Sequence, residues 1–369
     1  LAGLPARTRI AVTAAQPSGT GTLRAHARAR CARLGVDPAR LEFVDPERLA
    51  PGRPLPPRLL VDEAATLGES DLLRLARGVP QLILATTEHG YEGTGQSFRL
   101  RLLPALEAAA GRAVEHCTLR RPLRWAEDDP LEELAAALLG LDAEARTPAP
   151  VAGSAGPQPV PAEVLAADET RLAAVHGLLR EAHYQTRPSD LLRMLDDAAL
   201  TVWRLGPATA PAACALTIEE GGLPADLAAA MVRGERRPRG QLGAGVLAER
   251  LGLEAGARLR SLRVSRIAVH ASLRRRGLGA RLVAAIEADA RRRGLALLTS
   301  SFGLTATTLA FWRACGLSPL RLGERPERAS GRRSLFVARA LGAQGEALLA
   351  EARQRIDPSL TTDLDRAQD

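Results

Sequence analysis

A chain of 369 residues, 46% apolar with a net charge of +8, is long enough for two globular cores, and no apolar run reaches the ~18 residues of a membrane span. Its 50 basic side chains are all arginine, because no lysine occurs, and arginine forks suit a phosphate-rich partner. Cys31, Cys117, Cys214 and Cys315 form no C-x-x-C pair, so the sequence predicts no metal centre and no disulfide framework, and fits a reducing, cytoplasmic setting. No signal-peptide pattern is visible. The chain starts at Leu1 and carries methionine only at Met194 and Met231, which predicts a fragment with sequence missing upstream.

Apolar runs at 8–13, 41–44, 59–62 and 81–87 alternate with helical periods at 21–34 and 69–78. That alternation predicts a parallel α/β sheet. One run ends L-L-V-D-E-A-A and places Asp62 and Glu63 at the strand end, where open sheets bind ligands. Apolar Leu59, Leu60 and Val61 followed by Asp-Glu resemble a Walker B element, with Asp62 holding magnesium through water and Glu63 polarising the attacking water. A solvated acidic turn is the equal alternative. The matching loop G-x-x-x-x-G-K-[ST] needs a lysine and is absent from this chain. P-S-G-T-G-T at 17–22 follows a different strand and reads as a loop entering a helix. The stretches 86–98 (T-T-E-H-G-Y-E-G-T-G-Q-S-F) and 120–139 carry a Gly-rich turn and a helix start at Asp129 and Pro130. The Pro-, Ala- and Gly-rich segment 146–162 is a linker.

A helix is expected over 163–179, then E-A-H-Y-Q-T-R-P-S-D-L-L-R-M-L-D, and strands at 199–204 and 212–219. The insertion that follows carries R-R-P-R-G-Q-L at 236–242. Arg233, Arg236, Arg237 and Arg239 there make either a basic surface for phosphates or a solvated turn. Next comes a strand at 264–270, a basic loop at 274–279 and an amphipathic helix to 293 with Leu278, Leu282, Val283 and Ile286 on one face. Gly277 and Gly279 let backbone approach a ligand closely, and the first helical N–H groups favour an anion such as a pyrophosphate. Apolar residues fall at Leu262 and Val264, then at Ile267 and Val269, so the alternation changes parity around Ser265 and Arg266. One extra residue in a β-bulge does that; a strand buried on both faces is the alternative. A strand at 295–303, a helix at 305–317 with Phe311 and Trp312 in its last turn, and a strand at 334–339 complete the pattern. Residues 342–369 are expected to open a further, truncated helical region.

R-x-x-G-x-G between a strand and a helix resembles the acetyl-CoA loop of the GNAT N-acetyltransferases. Together with L-L-V-D-E-A-A, G-Y-E-G-T-G, P-L-R-W-A, H-Y-x-T-x-P-x-D-L-x-R-M and the R-R-P-R-G-Q-L insertion, it is similar to the bacterial tRNA(Met) cytidine acetyltransferases over about residues 8–341. The resemblance implies a partial P-loop-NTPase-like parallel sheet (1–146) lacking its phosphate loop, a linker (147–162) and a GNAT acetyltransferase domain (163–341). It implies transfer of acetyl from acetyl-CoA to N4 of the wobble cytidine of elongator methionine tRNA, assisted by ATP and magnesium if an upstream segment supplies that loop. Ile267, Ala268 and Val269 then meet the thioester and pantetheine through their backbone. Arg274, Arg275, Arg276, Gly277, Leu278, Gly279 and Ala280 hold the pyrophosphate, and Arg124 contacts ATP. The family's Glu and Arg cofactor contacts stand here as Thr307 and Ala314, with Arg313 beside the latter as a possible substitute. His270 and Glu220 are the candidates for proton handling; a loop cap and a solvated strand end are the plainer roles for them. A GNAT enzyme acting on a small amine or a protein, and a non-catalytic RNA-binding remnant, are the competing functions.

Overall fold

Short β-branched and leucine-rich runs in the first part of the chain pair in parallel. β1 (Ile10–Ala14), β2 (Leu41–Phe43), β3 (Arg58–Asp62) and β4 (Gln81–Leu84) lie in the order β2-β1-β3-β4. Parallel neighbours need crossovers, and the helices Gly21–Arg33 and Glu69–Gly78 supply two of them. Leu72, Leu75 and Ala76 of the second helix close over Leu59 and Val61 of β3, with Leu102 and Leu106 at the helix Leu103–Ala110. β3 therefore runs through the interior and delivers Asp62 at its carboxyl end, as expected.

The computed structural model describes residues 5, 7–14, 20–87, 102–119, 121–141, 143, 145–148, 156–182, 188–327 and 332–366. By internal contacts the chain divides into two units at Glu133 and Leu134, earlier than the boundary at 146 expected from composition.

Among the described residues of the second unit, seven strands form one sheet in the order β10-β11-β9-β8-β7-β6-β5. They are β5 (Gln158–Val160), β6 (Leu200–Leu205), β7 (Ala213–Glu220), β8 (Ser261–Val269), β9 (Leu297–Gly303), β10 (Ser318–Pro326) and β11 (Arg333–Ala340). Every pair is antiparallel except β8 with β9. Alternation along β6 and β7 fills two cores. Trp203, Leu205, Ala213 and Ala215 pack with Leu282, Val283 and Ile286 of the helix Leu278–Arg292. Val202, Cys214 and Leu216 pack with Leu178, Leu179 and Met194 of the helices Glu169–Ala182 and Pro188–Asp196.

Three expectations change. The proline-rich stretch is not linker throughout, because Gln158–Val160 pairs with Arg204, Trp203 and Val202 as an edge strand. An edge is where a proline, which has no N–H to donate, is tolerated in a sheet. The single helix over 163–179 is two, Ala162–Ala166 and Glu169–Ala182, since the Asp168 carboxylate accepts the Arg171 N–H at 3.1 Å and starts the second. Residues after Leu341 form the helices Ala343–Gln354 and Ser359–Arg366, whose Leu348, Leu349, Ala352, Leu360 and Leu364 are buried in the cores of this same sheet.

Candidate functional site

The bulge sits where the parity change puts it. Leu216 pairs with Arg266 and Thr217 with Val264, so Ser265 is the odd residue, and its hydroxyl donates to the Leu216 carbonyl at 3.1 Å. The slip keeps Leu262, Val264, Ile267 and Val269 all against the core under the 278–292 helix. It also coincides with a parting of strands, because β8 pairs with β9 only over Ser261–Val264. His270 donates its N–H to the Ala212 carbonyl at 2.9 Å. By antiparallel alternation Ala268 also turns its backbone groups to β7, while those of Ile267 and Val269 face the open side. Of the three residues expected to offer backbone contacts, Ile267 and Val269 have backbone groups on the open side, while Ala268 is occupied by the ladder with Cys214.

Beyond the strand, the chain turns over a short 3₁₀ helix, Ala271–Leu273, into the basic loop. Arg275 has φ 61° and Gly277 φ 77°, both left-handed, and the 278–292 helix then starts with no side-chain cap on its first N–H groups. Uncapped N–H groups at the positive end of a 15-residue helix favour an anion. Arg274, Arg275 and Arg276 are exposed, and among the described residues none pairs with a carboxylate. Arg274 instead donates from Nε to the Val269 carbonyl at 3.2 Å, on the open edge. Ala280 is exposed one turn into the helix, and Leu278 is buried.

The two glycines have different reasons. Gly277 needs its positive φ. Gly279 is buried, and a Cβ there would lie 3.0 Å from Phe311 Cε2 and 3.6 Å from Val269 Cγ2. Close packing with the helix Ala306–Ala314 demands that glycine, rather than a ligand. Thr307 stands one turn before Phe311 and so shares the face turned to Gly279; Arg313, two residues after Phe311, points about 200° away and is exposed. The structure thus brings Thr307 towards the loop and leaves Arg313 out.

The candidates for proton handling separate as well. Glu220 is no solvated strand end: it is 1% exposed, and its carboxylate accepts from Arg263 Nε at 2.6 Å, Gly243 N at 2.6 Å and Leu242 N at 3.2 Å. A carboxylate so engaged ties β7 and β8 to the helix Leu242–Gly245 and has no freedom to take a substrate proton. His270 caps the 3₁₀ helix, with Nδ1 2.9 Å from Ser272 Oγ, while Nε2 makes no hydrogen bond among the described residues. In the insertion, Arg236, Arg237 and Arg239 are exposed, but Arg237 forks onto Glu249 at 3.0 and 3.2 Å, and Arg233 onto Glu235 at 2.8 and 2.9 Å.

In the first unit, Glu63 follows Asp62 in the left-handed region at φ 48°, which a non-glycine residue rarely adopts. Asp62 is half-buried and Glu63 exposed. Arg124 is exposed beside the Trp125 ring, 5.6 Å from its centroid. The G-Y-E-G-T-G and H-Y-Q-T stretches lie outside the described residues, as do residues 17–19 of P-S-G-T-G-T. Among the described residues no His, Cys, Asp and Glu cluster could hold a metal ion.

A mixed sheet with one parallel pair, parted beside a bulge and followed by a basic loop into a helix, defines the second unit as a GNAT-type acetyltransferase domain. The two units together match a known pair of domains. Residues 2–142 match "RNA cytidine acetyltransferase NAT10/TcmA, helicase domain", and residues 174–289 match "GNAT acetyltransferase 2". The chain thus matches the helicase domain of the RNA cytidine acetyltransferases and, after it, a GNAT acetyltransferase domain. It is 40% identical over 329 residues to the tRNA(Met) cytidine acetyltransferase TmcA of Nitrosococcus halophilus, covering 88% of this chain and 44% of that protein. It is 37% identical over 301 residues to TmcA of Photorhabdus asymbiotica subsp. asymbiotica, covering 81% of this chain and 43% of that protein. The chain thus spans under half the length of these relatives. Among solved structures, the ribosomal-protein-S18-alanine N-acetyltransferase of Escherichia coli aligns with 51% of this chain and 94% of its own, at 15% identity and a TM-score of 0.34.

Proposed function

We propose that this chain carries the acetyl-transferring part of a tRNA(Met) cytidine acetyltransferase, acting at N4 of the wobble cytidine of elongator methionine tRNA with acetyl-CoA as donor. The observation that carries it is the similarity of 88% of this chain, through both units, to a tRNA(Met) cytidine acetyltransferase, with the open edge of β8 next to an uncapped helix start in the second unit. Residues 274–280 hold the pyrophosphate of acetyl-CoA, with helix N–H groups and three exposed arginines as donors. The N–H groups of Ile267 and Val269 receive the pantetheine and the thioester carbonyl, stabilising the oxyanion as the tetrahedral intermediate forms.

A cytosine N4 amine is a weak nucleophile because its lone pair is delocalised into the ring. Placement and proton removal therefore dominate. His270, one residue beyond Val269 with Nε2 unengaged, is the group we assign to that proton; Glu220 is excluded by its three donors. Thr307 contacts the cofactor from the 306–314 helix, and Arg236, Arg237 and Arg239 meet RNA phosphates. Asp62 and Glu63 form the magnesium and water side of an ATP site whose phosphate loop this chain does not contain, and Arg124 contacts the ATP. No helix of the described residues is long and apolar enough to cross a membrane; we place the protein in the cytoplasm with its RNA substrate.

The test is direct. The full chain is incubated with acetyl-CoA and transcripts of elongator methionine tRNA, and digested RNA is assayed for N4-acetylcytidine by mass spectrometry. The wild-type transcript should be modified and a transcript with uridine at the wobble position should not. Acetylation of small amines with no modified RNA would overturn the assignment.

A further inference from the structure

A cleft of about 860 Å³ opens in the second unit away from the acetyl-CoA loop, and none of residues 274–280 lines it. Arginines reach it from five separate segments: Arg193 from the 188–196 helix, Arg237 and Arg239 from the insertion, Arg250 from the π-helical turn Val246–Arg250, Arg263 from β8 and Arg321 from β10. Among the described residues Asp197 is its single acidic lining residue. Five of these six guanidinium groups share four carboxylates. Arg193 pairs with Asp197, Arg237 and Arg250 with the same Glu249, Arg263 with Glu220 and Arg321 with Glu324. Arg239 is exposed and has no carboxylate partner among the described residues. The cleft is therefore net positive, and its volume is that of a small-molecule or nucleotide site rather than of an ion.

Its place in the fold is informative. Leu262 and Val264 point into the core under the 278–292 helix, so Arg263 between them points to the opposite face of the sheet. Cofactor loop and cleft thus lie on opposite sides of one strand. Arg263 is four residues before Ile267, about 13 Å along β8. A polymer lying in the cleft can send one unit to the open edge without crossing the cofactor.

We propose that this cleft carries the sugar-phosphate backbone of the acceptor RNA next to the nucleotide whose base reaches Ile267 and Val269. The inference rests on the RNA-acetylating function above. Planar guanidinium forks donate in pairs to phosphate oxygens, which fits a phosphodiester track held from several elements. Arg263, fixed by Glu220 at 2.6 Å, is the rigid floor, and the exposed arginines are the contacts.

The full chain is titrated with labelled methionine tRNA between about 50 and 200 mM salt. The triple variant Arg193→Ala, Arg239→Ala and Arg321→Ala should lower the slope of log affinity against log salt by roughly 2 to 3, while Arg353→Ala, exposed and outside the cleft, leaves it unchanged. Acetyl-CoA affinity measured by calorimetry should stay at the parent value in the triple variant. Asp197→Asn, which keeps the oxygen that accepts the Ala199 N–H, should tighten RNA binding several-fold by releasing Arg193. An unchanged slope in the triple variant, or polyglutamate displacing tRNA as well as unlabelled tRNA does, overturns the cleft assignment alone. A parent chain that binds no RNA overturns it together with the function. If the triple variant loses acetyl-CoA binding through misfolding, Asp197→Asn decides, and RNA affinity equal to the parent's overturns the proposal.

Discussion

At the scale of single residues, two buried polar groups outside the cofactor edge set testable limits. Glu220 and Arg263 are 0% and 11% exposed in their side chains, so removing the carboxylate leaves a cation with no partner in a dry site. Glu220→Ala is expected to lower stability by about 3–5 kcal/mol, read from denaturant unfolding, with acetyl transfer per folded molecule largely kept. A variant that folds as well as the parent and yet transfers no acetyl would make Glu220 the proton acceptor after all. His176 is the second group, 2% exposed, with Nδ1 unpartnered among the described residues. Burial, then the charges of Arg180 and Arg266, push it down to about 4 from 6.5. Between those values the unfolded chain binds a proton that the folded chain refuses, so stability is full above pH 6.5 and falls as pH drops towards 4. The loss is on the order of 3 kcal/mol, and His176→Leu should flatten that part of the stability–pH curve. An equally steep curve in the variant would show that other groups cause it.

Between elements, the tightest constraint near the cofactor loop is the contact of the 278–292 and 306–314 helices at Gly279 and Phe311. Gly279→Val puts branched carbon into a space where the first added atom already lies 3.0 Å from the Phe311 ring. Overpacking of this kind costs about 1–3 kcal/mol. Because Gly279 lies in the first turn after Gly277, the displaced helix start should also weaken acetyl-CoA binding in calorimetry. Phe311→Leu in the same chain should recover part of both losses, since neighbouring sites couple. If the double variant is no better than Gly279→Val alone, the valine acts on the ligand and not on the ring.

For the molecule as a whole, the question is what the first unit does without a phosphate loop. ATP hydrolysis needs a cation and a cradle of N–H groups around the β- and γ-phosphates. Asp62 and Glu63 at the end of β3 bring only negative charge, which by itself repels a triphosphate. The purified chain is therefore expected to show no steady magnesium-dependent ATP turnover, and Glu63→Gln to leave the background rate unchanged. Turnover that disappears in Glu63→Gln would mean that this chain builds a complete site by other means.

Much of this was legible in local spacing. Short apolar runs located β1 to β4, because strands buried in a parallel sheet need only adjacent apolar residues. The parity change between Val264 and Ile267 announced a bulge, and the apolar period after Gly277 the 278–292 helix, since both are properties of a few consecutive residues. What the sequence left open involves partners far along the chain. Ser265 is identified as the extra residue only by the register with Leu216 and Thr217. Gly279 owes its identity to Phe311 on another helix, and Glu220 is buried because Leu242, Gly243 and Arg263 converge on it. The arginines of the cleft come from positions 193 to 321, and no spacing rule connects them. Sequence determined the elements and the loop because backbone conformation answers to neighbours; tertiary structure alone decided which carboxylate is sealed and which cations face one another, because burial and charge depend on what folds against them.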